Sequence, residues 1–303
     1  MDSIRKIKKI FKSVPTQEGA GVHLYRGFGN EHVPQFDPFL LFDDFGSDEA
    51  GKYIKGFPWH PHRGIETITY VLEGQVEHSD SLGNSGIINA GDVQWMTAGS
   101  GIIHQEMPKG NEQGILQGLQ LWANLPASDK MMPPRYREVL HHDIPEVQLN
   151  EGITIKVIAG EVANTQGPVK DIRIDPEYLA ISIPAGVQYK HEVKNGHTVF
   201  AYVLEGEGYF EESDGSHDFD QDSETDSIPE LQDLVGPKNI VLYEEGNQVQ
   251  ITADKKELRL LLISGKPLGE AVAWYGPIVM NTEGDIRKAF EEYQNGTFIK
   301  SSE

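Results

Sequence analysis

The five residues "YVLEG" occur twice in this chain, at Tyr70–Gly74 and at Tyr202–Gly206. Each copy sits in a β-rich run, "TYVLEGQVEH" at Thr69–His78 and "AYVLEGEGYF" at Ala201–Phe210, and each puts Glu-Gly where a turn is needed. An internal repeat restricts the fold more than any composition does: it calls for two related β-domains in tandem. The chain of 303 residues is long enough for two.

The runs around the repeat fit that reading. In "ETITYVLEG", Ile65, Thr67, Thr69 and Val71 alternate with Glu66, Ile68, Tyr70 and Leu72, the period of a strand. Turns are marked by "DSLGNSG" (Asp80–Gly86), "NAGD" (Asn89–Asp92) and "AGSG" (Ala98–Gly101). Short runs lie between and after them, among them "VQWMTA", "ILQGLQLWANLP", "ITIKVIAG", "NIVLYEEG" and "LRLLLIS". Many short strands cut by glycine-rich turns read as an all-β sandwich or barrel. One helix is expected near the end, on the outside of a barrel. Thr282 and Asp285 resemble a capping box, Ile286, Ala289, Phe290 and Tyr293 form an apolar stripe, and Asn295-Gly296 is a stop. "PPRYREVL" (Pro133–Leu140) reads as a short linker helix, within a boundary region at Pro126–Pro145. The domains expected are 1–135 and 136–303.

Two pairs of side chains carry the chemistry. "FPWHPHRG" places His60 and His62 at i and i+2, and "GSGIIHQEMP" places His104 and Glu106 at the same spacing. On a strand, such residues point to one face about 6.5–7 Å apart. No cysteine occurs, so disulfides, thiolate metal sites and cysteine nucleophiles are excluded, and a metal must be held by histidine and carboxylate. Three imidazoles and one carboxylate suit Fe(II), and could also hold Mn, Co, Ni, Cu or Zn. Aligning the two "YVLEG" copies without gaps shifts positions by 132, the difference between Tyr70 and Tyr202, so that His60 and His62 fall on Glu192 and Lys194. One metal, in the first domain, is therefore expected.

Lys and Arg total 26 against 47 Asp and Glu, a net charge of −21, which argues against direct contact with nucleic acid. Ten of the acidic residues fall between Glu211 and Leu234 with no lysine or arginine among them. That stretch reads as a solvated loop; a calcium loop or a docking site for a basic partner are the other readings. "RKIKK" at Arg5–Lys9 is taken as the polar face of the first element rather than an import signal. The opening "MDSIRKIKKIFKSV" lacks a continuous apolar core, so no signal peptide is expected, nor is any apolar run near the ~20 residues of a membrane span. A cytoplasmic monomer is expected, with a nuclear location open in a eukaryote.

"HPHRGIETITYVLEG", "DSLGNSGIINAGDVQWMTAGSGIIHQEMP", "LQLWANLP" and the late "GPIVMNT" closely resemble the pirin family of bicupins. The resemblance implies two stacked cupin (jelly-roll) β-barrels with a short C-terminal helix and one mononuclear non-haem iron in the N-terminal barrel. Its H-x-H and H-x-E ligands fall on His60, His62, His104 and Glu106. Many other cupins take their carboxylate from a glutamate four residues after the second histidine, where Glu66 stands. The pirin pattern favours Glu106 and leaves Glu66 behind the ligands. The resemblance also implies two functions. One is ring-opening dioxygenation of flavonols such as quercetin, with Glu106 as base and Phe57, Trp59, Trp95, Met96 and Met107 as candidates for an aromatic pocket. The other is an iron-dependent, redox-sensing transcription cofactor that acts through a protein partner. A sugar isomerase or epimerase would share the frame, but no motif supports it.

Overall fold

The computed structural model describes residues 3–211 and 234–300. The acidic stretch between Glu211 and Leu234 thus lies, apart from its two ends, outside the described residues. Elsewhere the turns fall where the glycines put them. Ile65–Glu73 and Thr198–Glu205 both end at the glycine of the repeat, and Gly74 (φ +80°) and Gly206 (φ +76°) are left-handed. A side chain could not stand there even without the φ restriction. A Cβ on Gly74 would lie 2.6 Å from the Lys109 carbonyl oxygen, and one on Gly206 2.1 Å from that of Glu257. The repeated "EG" is therefore a steric requirement met twice.

Each barrel is built from one large and one small antiparallel sheet. In the first, seven strands run in the order Arg135–Val139, Val93–Thr97, Ile65–Glu73, Leu116–Asn124, Phe39–Ser47, Val22–Phe28 and Val14–Glu18. The small sheet opposite them orders Phe57–His62, Ile102–Lys109, Gln75–Asp80 and Ser85–Asn89. The second barrel repeats the plan with a seven-stranded sheet and a three-stranded one, Gln188–Glu192, Gln248–Ala253 and Gly208–Tyr209. The two large sheets pack on each other. Phe28, Phe42, Ile68, Trp95 and Leu121 of the first share one core with Tyr178, Phe200, Tyr202, Ile240 and Ile263 of the second. Ile65–Glu73 is consequently buried along both faces up to Val71.

The helix forms where expected, Glu283–Gln294, with the Thr282 hydroxyl accepting from the Asp285 amide at 3.1 Å. The linker helix does not form. Residues Arg135–Val139 are a strand paired with Val93–Thr97. An isolated helix this short is marginal, whereas the sheet edge offers backbone partners to the whole run. The ends of the chain also cross over. Ile7–Lys12 joins the second barrel through Asn239–Tyr243, and the C-terminal hairpin and helix lie against the first. Arg5 of the basic cluster is not a solvated side chain: it is buried and donates to the carbonyls of His197, Glu244 and Gly246.

Replacing Gly206 by alanine is expected to cost about 1–3 kcal/mol, seen as a lower midpoint of thermal unfolding. The same change at Gly186, which is also left-handed but has nothing within 4 Å of its would-be Cβ, should cost less.

Candidate metal centre

The first barrel's small sheet sets the site. Phe57–His62 pairs with Ile102–Lys109 so that His104 lies opposite His60 and Ile102 opposite His62. The three imidazoles converge: His60 Nε2 is 3.0 Å from His62 Nε2 and 3.0 Å from His104 Nε2. His62 and His104 are buried and His60 half-buried. Their ligand atoms lie within 4.8 Å of one another, the one such cluster of three or more metal-ligating residues among the described residues.

The hydrogen bonds around the rings decide where two of the lone pairs point. His60 Nδ1 faces the Pro58 carbonyl at 2.9 Å and His62 Nδ1 faces that of Pro277 at 3.1 Å. A carbonyl only accepts, so both Nδ1 atoms carry the proton and both Nε2 lone pairs turn toward the same point. Lone pairs 3.0 Å apart repel unless a cation stands between them. Neighbouring ligands around an octahedral ion with bonds of about 2.1 Å are also about 3.0 Å apart, so the trio fits a divalent metal. Burial, then the neighbouring His60, holds His62 well below the ordinary histidine range. Burial, then His62, His60 and His78, does the same for His104. Both rings are thus kept in the neutral, ligating form.

Glu106 stands beside the trio rather than in it. Between His104 and Glu106 the register slips by one residue, so that Glu106 pairs with Phe57 instead of Pro58. This bulge carries the buried carboxylate toward Thr69, whose hydroxyl lies 3.4 Å from Glu106 Oε1, with the Gln120 amide at 3.5 Å. Glu66 is on the other face of its strand, with Ile68 and Tyr70, where it accepts hydrogen bonds from Trp95 Nε1 (3.0 Å) and Thr97 Oγ1 (2.5 Å). It faces the inter-barrel core and not the histidines.

A cavity of about 560 Å³ opens onto His60, His62 and Glu106. Of the five aromatic and methionine candidates only Phe57 lines it; Trp95 and Met96 are fully buried core, and Trp59 is exposed. Trp122 and Trp274 do the work expected of the others. They lie 5.8 Å apart, and Trp122 meets His62 edge-on at 5.1 Å. Trp274 and Pro277 come from the far end of the chain, Trp274 just before the "GPIVMNT" motif and Pro277 within it. Arg26, paired with Asp43 through two bonds of 2.8 and 2.9 Å, stands on the polar side of the cavity.

In the second barrel the ungapped correspondence does not survive. Five residues, 193–197, join Gln188–Glu192 to the next strand, whereas Arg63 and Gly64 alone join the equivalent strands of the first. The buried side chains of that strand are Tyr189 and His191, while Glu192 is exposed and Lys194 lies beyond its end. The ring nitrogens of His191 are taken up by Tyr189 Oη (2.8 Å) and Glu177 Oε2 (2.9 Å), so neither of them is free to ligate.

His104→Ala is expected to weaken metal binding more than about a hundredfold, beyond the 10–100-fold typical of losing a residue that only supports a ligand. Metal content after equilibration with Ni(II) or Fe(II) measures it. The metal-free protein should also lose stability as the pH falls below about 6.5. The unfolded histidines take up protons there that His62 and His104 refuse in the folded state. Thermal unfolding between pH 7.5 and 5 tests this, and His104→Gln should flatten the slope.

The chain is similar to known proteins along almost its whole length. Residues 21–123 match the family described as Pirin, and residues 178–299 match the Pirin C-terminal cupin domain. The chain is 39% identical to a pirin-like protein of Caulobacter vibrioides over 97% of this chain and 99% of that one. It is similar to the crystal structure of a quercetin 2,3-dioxygenase from Acinetobacter baumannii, with a TM-score of 0.84, 30% identity, and coverage of 98% of this chain and 99% of that one. A bacterial pirin of Escherichia coli solved in complex with nickel(II) shares the fold, with a TM-score of 0.62 at 22% identity over 86% of this chain and 98% of that one. With a family match in each barrel and relatives along almost its whole length, this chain belongs to the pirin family.

Proposed function

We propose that the protein is a metal-dependent dioxygenase that opens the central ring of flavonols such as quercetin. The observation that carries this reading is the cavity itself. It is a space of about 560 Å³, in the range that takes a drug-sized molecule, walled by Phe57, Trp122 and Trp274 and ending at two of the three converging histidines. Flat aromatic walls match a flat aromatic substrate. His60, His62 and His104 hold the ion in this proposal, Fe(II) being one of the metals that suit nitrogen donors with a carboxylate. Glu106, set beside the trio, becomes a fourth ligand only by swinging toward the ion, and where it stands it is the base. A nickel-bound pirin and a quercetin dioxygenase among the similar structures support the reading.

The bound metal supplies Lewis acidity to the substrate oxygens and a route for electrons to O₂. The chain's own residues do the rest. Glu106 faces the same cavity and takes the proton of the flavonol 3-hydroxyl. Thr69 and Gln120 hold its Oε1, so the carboxylate stays aimed while the proton moves. Trp122 fixes the plane of the ring system and, through its edge contact, the plane of His62. The carbonyls of Pro58 and Pro277 keep the proton on Nδ1 of His60 and His62, so that their Nε2 lone pairs stay directed at the ion.

The test is anaerobic reconstitution with Fe(II), followed by quercetin and O₂, with flavonol absorbance and O₂ consumption read together. Turnover should fall about 10²–10⁴-fold in Glu106→Gln. Trp274→Ala should raise KM about 2- to 10-fold, the worth of one aromatic contact, with a smaller effect on kcat. Absence of turnover with Fe(II), Mn, Co, Ni and Cu, despite one bound ion per chain, would refute the enzyme reading and leave metal-dependent binding of a protein partner.

A further inference from the structure

The metal ligands all belong to the first barrel, yet the turn that carries one of them is gripped from the far end of the chain. His62 is followed by Arg63 and Gly64, and contacts to the segment Ala273–Ile299 converge on these three residues. The Pro277 carbonyl accepts from His62 Nδ1 at 3.1 Å. The Val279 amide donates to the Arg63 carbonyl at 3.1 Å. The Arg63 guanidinium, fully buried, pairs with Glu292 at 2.8 Å, donates to the Phe298 carbonyl at 2.9 Å and lies over the Phe298 ring at 4.2 Å. Gly64 is pressed so close that a Cβ would meet the Val279 oxygen at 2.0 Å.

Lys130 completes the grip from a third direction. Its side chain is buried, and Nζ donates to the Gly64 carbonyl (2.9 Å), the Val279 carbonyl (3.1 Å) and Asn124 Oδ1 (2.7 Å). An ammonium has three N–H bonds, and all three are used here. One group thus ties the turn after His62, the C-terminal strand and the end of Leu116–Asn124 together. Burial pushes its pKa down to about 7, so holding the charge there is costly and depends on all three acceptors.

We propose that the segment Ala273–Ile299 is a strap that sets the affinity of the metal centre, with Lys130 and Arg63 as positioning residues. The inference rests on the metal reading above. The strap supplies no ligand. It fixes the tautomer and rotation of His62 through Pro277, and it holds Pro277 in place through Val279, Glu292 and Phe298. Loosening it lets the ring turn, and the ion then has to pay for ordering it. Linkage makes the effect reciprocal: whatever factor the docked strap adds to metal affinity, the metal adds to docking of the strap.

The experiment uses the full chain and Ni(II) alone as probe. Affinity is measured by chelator competition, and backbone hydrogen exchange in 273–299 is followed with and without the ion. We expect Ni(II) to slow exchange across 273–299, Lys130→Met to weaken Ni(II) binding about 10–100-fold, and Glu292→Gln to weaken it several-fold. Glu205→Gln, which breaks an exposed pair with Arg259 on the second barrel, should change neither. If Lys130→Met does not fold, Glu292→Gln and the exchange comparison decide. Ni(II) binding by the wild type with unchanged affinity in Glu292→Gln and metal-indifferent exchange in 273–299 would overturn the strap alone. No binding by the wild type would overturn the metal centre and the strap with it.

Discussion

The contact between the two seven-stranded sheets is the constraint from which the rest of the structure follows. A sheet that closes half of a barrel buries one face inside it; here the other face is buried as well, against its counterpart. Phe28 stacks on Phe36 at 3.9 Å, and Phe200 from the second barrel meets Phe28, Phe36, Phe39 and Phe42 edge-on at 5.4–6.1 Å. Such aromatic contacts add roughly 0.5–1.5 kcal/mol each beyond the area they bury. One polar pair crosses this layer. Tyr202 donates to Asp44 at 2.6 Å, and burial raises the pKa of the aspartate, so the bond is needed to keep either group inside. With the outer faces of both large sheets committed to each other, the barrel interiors, the small sheets and the barrel ends remain to carry chemistry.

That division explains why two copies of one frame differ so much inside. The second barrel is filled with apolar side chains, among them Ile155, Ile181, Val199, Val203, Val249 and Ile251. Of its two buried histidines, His191 is consumed by Tyr189 and Glu177, and His197 stands outside that strand beside Asp175. The first barrel keeps a polar interior with Thr69, His78, Gln94, His104 and Glu106 buried. Polar groups in such a place need partners, and the histidine trio leaves nitrogens directed at each other, which a cation satisfies better than any side chain present. One barrel buttresses; the other carries the candidate metal site.

The second half of the chain is also more than a buttress. Trp274 and Pro277 form a wall of the cavity. Exchange of the terminal elements, Ile7–Lys12 to the second barrel and the C-terminal hairpin and helix to the first, stitches the halves together by backbone hydrogen bonds as well as by the aromatic layer. Docking of the C-terminal elements and the geometry of His62 are therefore one structural problem.

Much of this was legible from residue pattern. A period of two marked Ile65–Glu73 as a strand, because successive side chains of a strand must alternate; that both of its faces are buried was settled by the packing of the barrels. The i, i+2 spacing named His60 with His62 and His104 with Glu106 for the same reason, and left-handed turns account for the repeated Glu-Gly. The helix over Glu283–Gln294 followed from its cap and stripe, which are local. What the tertiary structure decided was what depends on pairing and on distance along the chain. The bulge opposite Glu106 sets it apart from the histidines, and no residue spacing along one strand reveals a slip against its partner. Arg135–Val139 became a strand because a sheet edge was waiting for it. Trp122 and Trp274 replaced Trp59 and Trp95 as pocket walls because neighbours in sequence alternate between faces, while residues about 150 positions apart meet across a barrel mouth. Local sterics are written in the order of residues; long-range register is settled only when the sheets close.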